Sequence, residues 1–289
     1  MPHPTSPPAQ ATPTSAATAT ATATASAAPL GLAACPPERA LAALPVLART
    51  DLSPDDLLAL PDGSLWVSDP VGGAIEHIAA DGRVLTRSAD GQAPEGMVAV
   101  GGSIVLAEQG PNRLVRFTPP AMARGTVLTL PDRGGQEGLD GIALDASGRL
   151  LIPDSPHGTL LSAAPGGGGA VTMATGLGRD VAATVGPDGA IWIAVEGTRG
   201  LWRLPAAGAT AVAVGGLAQL DDLVTVGSLL YATLLLAGEV VAIDPASGAS
   251  RVLARGIGAP QGLALLAGGR LAVADSNSHV IATLAACTG

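Results

Sequence analysis

Residues 139–155 read LDGIALDASGRLLIPDS, and variants of this segment recur from Ser53 almost to the C-terminus. Each copy has a polar leading residue, a short apolar strand, a turn that carries glycine, a second apolar strand and an acidic or small exit. The other copies are PDDLLALPDGSLWVSDP (54–70), PEGMVAVGGSIVLAEQG (94–110), RDVAATVGPDGAIWIAVEG (179–197), LDDLVTVGSLLYATLLLAG (220–238) and PQGLALLAGGRLAVADSNS (260–278).

The polar leading residues show how regular the repeat is. They are Asp55, Glu95, Asp140, Asp180, Asp221 and Gln261, and they are separated by 40, 45, 40, 41 and 40 residues. A fixed period of this length, built from short strands, is typical of a β-propeller blade. The six copies therefore predict an all-β, six-bladed β-propeller. Hairpin turns such as PDG, ASG and DPASG fall between the apolar runs, and PPAMARG (119–125) is predicted as a longer loop in blade two.

The two ends of the chain are predicted to close the ring. The sixth repeat has only three strands, so it needs a fourth, and the apolar segment LAALPVLAR (41–49) is the spare one. Cys35 precedes this segment and Cys287 follows the last predicted strand, 279–286. A disulfide there would contribute about 5 kcal/mol in the chain-entropy model and would indicate an extracytoplasmic location, whether secreted, periplasmic or on the cell surface. The alternative is two unrelated small hydrophobic residues.

The N-terminal segment has a different composition from the rest. Residues 1–34 are almost entirely Ala, Thr, Pro and Ser, which predicts a disordered leader or linker over 1–40 before a propeller over 41–289. Basic residues are missing before Arg39, unlike in a classical secretory signal, and no run of 18 apolar residues predicts a transmembrane segment. LAAC (32–35) resembles a lipoprotein cleavage box, but the threonine-rich segment before it does not favour lipidation of Cys35.

Charge and composition narrow the range of partners. The chain has 24 acidic and 15 basic residues, a net charge of -9, which argues against nucleic acid as a partner. All basic residues are arginine, so lysine Schiff-base chemistry is excluded. Aromatic residues make up 2% of the chain and fall mostly in predicted strands, where they are expected to serve packing. We predict a monomer that binds a small molecule.

The propeller fold places the leading residues around one mouth of the central channel, because the first strand of every blade starts at the same face. Five of the six are carboxylates. Residues that follow the second strands return to this face and extend the mouth. They are Asp69, Glu108, Asp154 with His157, Glu196 with Arg199, and Asp275 with Asn277.

Five carboxylates around one axis repel one another unless a cation or protons are bound. Calcium takes six to eight oxygen ligands, and the leading residues provide carboxylate and amide oxygens. Zinc instead prefers His or Cys. We therefore predict a divalent cation, Ca²⁺, with Mn²⁺ and Mg²⁺ as alternatives. The competing interpretation is that each acidic residue caps backbone amides of its own loop.

The segments at 54–70, 139–155 and 220–234 resemble the SMP-30/gluconolactonase/LRE-like family over roughly residues 53–286. The resemblance implies lactone hydrolysis at a divalent metal held by a Glu from blade one, an Asn from blade three, an Asp from blade five and a polar group from blade two. The matching positions are Asp55, Asp140, Asp221 and Glu95. Only Asp221 keeps the residue type of the family.

Two other repeat families are similar to this chain. Residues 94–117 and 260–284 look like NHL repeats, which imply a propeller that binds a peptide or small molecule without turnover. GPDGAIWIAVEG (186–197) resembles the streptogramin B lyases, which imply a metal-dependent lyase with seven blades and a catalytic His. The count of six blades does not favour the lyase.

For an enzyme, the residues predict metal-assisted opening of a lactone or related ester. Asp55 or Asp221 would accept the proton from water, with His157 as a second base. Asp180, Glu108, Glu196, Arg199 and Gln261 would line the mouth around the substrate.

Overall fold

The computed structural model describes residues 31–131, 138–197, 200–206 and 211–287. Six sheets, five of them four-stranded and one five-stranded, form the six blades of a β-propeller. This confirms the fold and the blade count that the repeat predicts. Each blade is an antiparallel meander whose first strand lies at the channel and whose fourth strand lies at the outside.

The chain begins with two short strands, β1 (Arg39–Ala40) and β2 (Val46–Arg49), separated by a 3-10 turn at Leu41–Ala43 and preceded by another at Leu32–Ala34. The blades then follow in chain order. Blade one contains β3 (Leu57–Ala59), β4 (Leu65–Asp69), β5 (Ala74–Ile78) and β6 (Val84–Ala89); blade two contains β7 (Pro94–Val100), β8 (Ser103–Glu108), β9 (Arg113–Thr118) and β10 (Ala121–Thr129). Blade three contains β11 (Ala143–Leu144), β12 (Leu150–Asp154), β13 (Thr159–Ala163) and β14 (Val171–Thr175), with a 3-10 turn at Ser155–His157.

The remaining blades complete the ring. Blade four contains β15 (Asp180–Val185), β16 (Ile191–Val195), β17 (Gly200–Leu204) and β18 (Ala211–Val214); blade five contains β19 (Leu220–Val226), β20 (Leu229–Leu234), β21 (Glu239–Ile243) and β22 (Ser250–Arg255). Blade six contains β23 (Pro260–Leu266), β24 (Arg270–Asp275) and β25 (Val280–Ala285), and β2 adds its fourth strand.

The N-terminal strand closes the ring as predicted. β2 pairs antiparallel with β25, with Val46 opposite Ala282. The strand is shorter than the predicted 41–49, because residues 41–43 form a 3-10 turn and Pro45 has no N–H to continue a ladder. The carbonyl of Pro45 still accepts a hydrogen bond from the Thr283 amide at 2.8 Å.

A disulfide joins Cys35 to Cys287, as predicted, across 252 positions of sequence. The Cys287 amide also donates to the Tyr231 hydroxyl of blade five at 3.0 Å. Leu32 and Cys35 pack in one apolar cluster with residues of blades five and six. The predicted leader, 1–40, falls mainly on residues 1–30, which lie outside the described part of the chain.

Two features of the sheets were not predicted. β1 pairs in parallel with β22 and gives blade five a fifth strand. Most of the predicted loop PPAMARG belongs to β10, which starts at Ala121, directly after the turn made by Pro119 and Pro120. The chain reverses within those two prolines, so the following residues pair at once with β9.

The interior consists of apolar side chains between neighbouring blades. Trp66 of blade one packs edge-on against Phe117 of blade two, with ring centroids 5.4 Å apart. Trp66, Trp192, Tyr231 and Phe117 are each at most 1% exposed. Their burial confirms that these aromatic residues serve packing. No helix in the described ranges is long and apolar enough to cross a membrane.

Glycines beside the leading residues allow the first strands to approach one another at the axis. The Gly262 amide of blade six donates to the Asp55 carbonyl of blade one at 3.0 Å. A Cβ on Gly262 would lie 2.3 Å from that carbonyl oxygen, which no real side chain tolerates. Gly96 and Gly141 hold the same position in blades two and three. These contacts draw the leading side chains of adjacent blades together.

Candidate metal centre

Acidic side chains from blades one and two converge where their first strands begin. One carboxylate oxygen from each of Asp55, Asp56 and Glu95 lies within 4.8 Å of the others. The amide of Gln261, from blade six, donates to Asp55 Oδ2 at 3.2 Å, and Gln109 donates to Glu95 Oε1 at 3.0 Å. Two of the predicted metal ligands, Asp55 and Glu95, are therefore neighbours, and Asp56 joins them.

Carboxylates of blades three and five also interact electrostatically with this group. Burial, followed by the charges of Asp140, Asp222 and Asp69, raises the pKa of Asp55 to about 8, against a smaller lowering by Arg179. Burial likewise raises the pKa values of Asp56, Glu95 and Asp221 well above their usual range, and in each case Asp140 adds to the effect. We call Asp55, Asp56, Glu95, Asp140, Asp221 and Asp222 the acidic cluster.

Asp56 and Asp222 are the two members of the acidic cluster that sequence reasoning missed. They occupy the position that is glycine in blades two, three and six. Two consecutive aspartates, in PDDL and in LDDL, could have indicated them. Only the first aspartate of each pair was predicted to lie at the mouth. Each side chain points into a junction where glycine otherwise permits close approach.

Asp222 and Asp56 differ in the hydrogen bonds that their carboxylates accept. Asp222 accepts hydrogen bonds from the backbone amides of Leu223 and Leu263, both at 2.6 Å, and burial raises its pKa to about 6 against the opposing effect of these bonds. Asp56 is 8% exposed, and its Oδ2 has no hydrogen-bond partner within the described part of the chain. An unpaired buried carboxylate oxygen is costly, so a bound proton or cation would stabilise Asp56 more than the hydrogen-bonded Asp222.

Three of the residues after the second strands have side-chain or backbone partners in their own blade or loop. Glu108 is fully buried and pairs with Arg113 at 2.5 Å. Asp69 accepts bonds from the amides of Ser53 and Gly72, as in the capping interpretation. Asp275 accepts from the Ala259 amide at 2.9 Å in the same way. These contacts fix the loops, although the charge of Asp69 still raises the pKa of Asp55.

Arg179 connects blades three and four at the edge of the cluster. It pairs with Asp140 at 3.2 Å and with Glu196. Asp140 and Glu196 are thus partly neutralised, whereas Asp180 is fully buried and neither of its carboxylate oxygens has a hydrogen-bond partner among the described residues. Asp180 lies beside Asp154 and Asp140, whose charges add to the effect of burial on its pKa.

His157 lies in the 3-10 turn after β12, where its Nδ1 contacts Asp154 Oδ2 at 2.8 Å. This contact orients the imidazole of His157 towards Asp154, the last residue of β12 in the same blade. Arg199, the other residue predicted beside the mouth, lies outside the described residues.

The acidic cluster has the composition of a hard-cation site. Its ligands are carboxylate oxygens, the type that calcium, magnesium and manganese prefer. Neutralising several carboxylates at once would remove the repulsion that raises their pKa values. The unpaired Oδ2 of Asp56 supplies a ligand atom without breaking an existing hydrogen bond.

No protein-family model matches the sequence, and no curated protein does. Solved structures do match. A calcium-binding regucalcin from Agrobacterium tumefaciens str. C58 superposes with a TM-score of 0.71 at 16% identity, covering 84% of this chain and 93% of the other. A putative gluconolactonase gives 0.70 at 17% identity, covering 84% and 92%. A streptogramin B lyase gives 0.62 at 16% identity, covering 78% and 77%.

These similarities show the propeller fold that this chain shares with the neighbours. They agree with two of the resemblances seen in the repeat segments, to the gluconolactonase and streptogramin lyase groups. Sequence identities of 16–17% show a shared fold but not a shared activity.

Proposed function

We propose that this protein binds a divalent cation, Ca²⁺, at the channel mouth and hydrolyses a lactone or related ester there. Asp55, Asp56 and Glu95 would hold the ion, with Asp140 completing the ligand set and Asp221 left free of the ion to act as a base. The observation that carries the proposal is the group of three carboxylates whose ligand atoms lie within 4.8 Å, one of them the unpaired Asp56.

Calcium fits this site better than zinc. The cluster offers carboxylate oxygen ligands, and the imidazole of His157 already contacts Asp154. Calcium tolerates an irregular set of six to eight oxygens, whereas zinc favours a tetrahedral set with His or Cys. Water would supply the ligands that the protein does not.

The residues around the cluster have distinct roles in the proposed reaction. A bound divalent cation supplies polarisation of a carbonyl and a lowered pKa for water. Asp221 is the base we assign, because burial and the charges of its neighbours make its carboxylate a stronger proton acceptor than usual. Gln261 holds Asp55 by its amide and orients that ligand. His157 is not needed as a base in this arrangement.

Two further observations support the class of reaction and the compartment. The structural neighbours include proteins described as a calcium-binding regucalcin and a putative gluconolactonase. The disulfide between Cys35 and Cys287 supports an extracytoplasmic location, where such bonds persist.

The test is hydrolysis of a panel of aldonolactones and acyl lactones by EDTA-treated protein, with and without added calcium. We expect calcium-dependent turnover that Asp221→Asn lowers about a hundredfold or more, as for loss of a general base. Asp51→Asn, on the exposed Asp51, serves as the matched control and should leave the rate unchanged.

Two results would redirect the proposal. Calcium binding without turnover of any lactone would leave a cation-binding propeller that recognises a ligand without chemistry. Turnover that is indifferent to EDTA would refute the metal-assisted mechanism itself.

A further inference from the structure

A cavity of about 460 Å³ lies where the N-terminal segment crosses from blade five to blade six. Residues of the segment 36–45 form one wall, and this segment is held on both sides, by β1 on blade five and by β2 on blade six. The other walls are Leu253 of β22 and residues at the start of β24 and the end of β25. No first strand and no member of the acidic cluster lines it. We call it the closure cavity.

The wall of the closure cavity is mostly apolar. Its apolar lining residues are three prolines of the N-terminal segment, three leucines of the cluster between blades five and six, and Ala285. Its volume is within the range of small-molecule sites, about 300–1,000 Å³. Apolar surface of this kind favours a ligand with a hydrocarbon body, because binding removes both surfaces from water.

Two guanidinium groups lie at this wall. Arg270 lines the cavity, and its Nη2 donates to the hydroxyl of Thr283, which also lines it. Arg39 lines the cavity from the N-terminal segment, and its Nη2 donates to the Ala43 carbonyl of the same segment at 2.7 Å. A guanidinium group has five N–H donors, so each arginine keeps donors for a ligand.

The positive charges of Arg39 and Arg270 have no internal counterion. No acidic residue lines the cavity, and within the described part of the chain neither arginine forms an ion pair. Glu38, the neighbour of Arg39 in sequence, pairs instead with Arg255 at 2.6 Å. A carboxylate at this wall would therefore gain charge-assisted hydrogen bonds without displacing an existing ion pair.

We propose that the closure cavity binds a fatty acid as its carboxylate ion. The carboxylate accepts hydrogen bonds from Arg39 and Arg270, and the alkyl chain lies against the apolar wall. Because the two arginines belong to opposite ends of the chain, the bound ligand would link those ends and stabilise the closed ring. This site is separate from the acidic cluster and does not depend on the proposed function.

The test is calorimetric titration of the full chain with octanoate at pH 8 in calcium-free buffer, with acetate, 1-octanol and octylammonium as comparison probes. We expect octanoate to bind and each comparison probe to bind at least about tenfold more weakly, since each lacks the chain, the charge or its sign. Hexanoate should bind more weakly than octanoate, by about fourfold for each methylene group removed.

Two variants locate the site, because Arg39 and Arg270 lie on different elements. Arg39→Gln and Arg270→Gln should each weaken octanoate binding about tenfold. Both arginines are exposed, so the variants should remain folded. Arg83→Gln is the matched control, because it removes the same charge from an exposed arginine of blade one and should leave the affinity unchanged.

Three results would overturn the proposal. They are no binding of octanoate, equal binding of octanoate and 1-octanol, and octanoate binding that survives both arginine substitutions. Calcium binding at the mouth is measured separately, so failure of either site leaves the test of the other intact.

Discussion

Asp180 is a buried acidic residue that lies outside the acidic cluster. It is fully buried, and within the described part of the chain neither of its carboxylate oxygens has a hydrogen-bond partner. Burial, together with the charges of Asp154 and Asp140, raises its pKa from 3.8 to about 7, against a lowering by its own backbone amide. The folded protein therefore holds a proton on Asp180 more tightly than the unfolded chain does.

This shift predicts a specific pH dependence. The raised pKa contributes stability that is fully present below about pH 4 and is lost as the pH rises to about 7. Asp180→Asn, which cannot ionise, should therefore become more stable than the unmodified protein as the pH rises, by up to about 4 kcal/mol at pH 8. Urea unfolding in EDTA from pH 4 to pH 8 measures the difference.

Asp51→Asn is the control, because Asp51 is exposed. A constant stability difference between Asp180→Asn and the unmodified protein across this pH range would show that Asp180 ionises normally.

At the scale of the element, the first strand of each blade determines both the packing and the site. Gly262 lets blade six approach blade one, and the same contact places Gln261 on Asp55. Where blades one and five carry Asp56 and Asp222 instead of glycine, the junction gains a carboxylate. The fold thus uses one position in the repeat for two purposes, close packing in three blades and charge in two.

Adding a methyl group at this position should separate the blades. Gly262→Ala should destabilise the protein by roughly 2–3 kcal/mol, because the new Cβ overlaps the Asp55 carbonyl. Denaturant unfolding measures the loss. Gly125→Ala is the matched control, since a Cβ there meets nothing within 4 Å and should change stability by less than about 0.5 kcal/mol. Equal stability of the two variants would refute the close-contact account.

The fold could be predicted from the sequence because each repeat is a local segment and the interval between repeats is nearly constant. Six leading residues at a nearly constant interval indicate six blades, and a missing strand in the last blade indicates closure by the first apolar segment. The break of that segment at Pro45 also follows from chemistry visible in the sequence. The parallel pairing of β1 with β22 does not, because a strand of two residues carries no recognisable strand pattern.

Four of the six members of the acidic cluster were predictable from the sequence. Strand direction placed Asp55 and Glu95 correctly beside each other, but choosing one residue per repeat overlooked Asp56 and Asp222. The neutralisation of Glu108 was also hidden, because Arg113 comes from the next strand and nothing in the spacing marks it as a partner. Side-chain pairing between strands depends on register, which the sequence pattern leaves open.

For the whole molecule, ring closure joins the two ends of the chain by both hydrogen bonds and a covalent bond. β2 completes blade six, and the disulfide from Cys35 to Cys287 encloses nearly the entire propeller in one loop. Such a loop restricts the unfolded chain strongly, because the loss of entropy grows with the number of enclosed residues.

Removing the disulfide should therefore lower global stability. The double variant Cys35→Ser, Cys287→Ser should lose about 5 kcal/mol of unfolding free energy in the chain-entropy model. Thermal unfolding with and without reductant measures it, and the reductant should lower the melting temperature of the unmodified protein only. A reductant effect of equal size on both proteins would show that it acts elsewhere.

The presence of a cation at the shared mouth is best tested by calorimetric titration of EDTA-treated protein with calcium near pH 7, repeated in buffers of different ionisation enthalpy. Binding should release protons, because the raised pKa values of Asp55 and its neighbours leave part of the acidic cluster protonated beforehand. Asp56→Asn should weaken the affinity about tenfold or more, and Asp51→Asn should leave it unchanged. A titration without heat in any buffer, together with an unchanged melting temperature in calcium, would contradict a metal centre at this mouth.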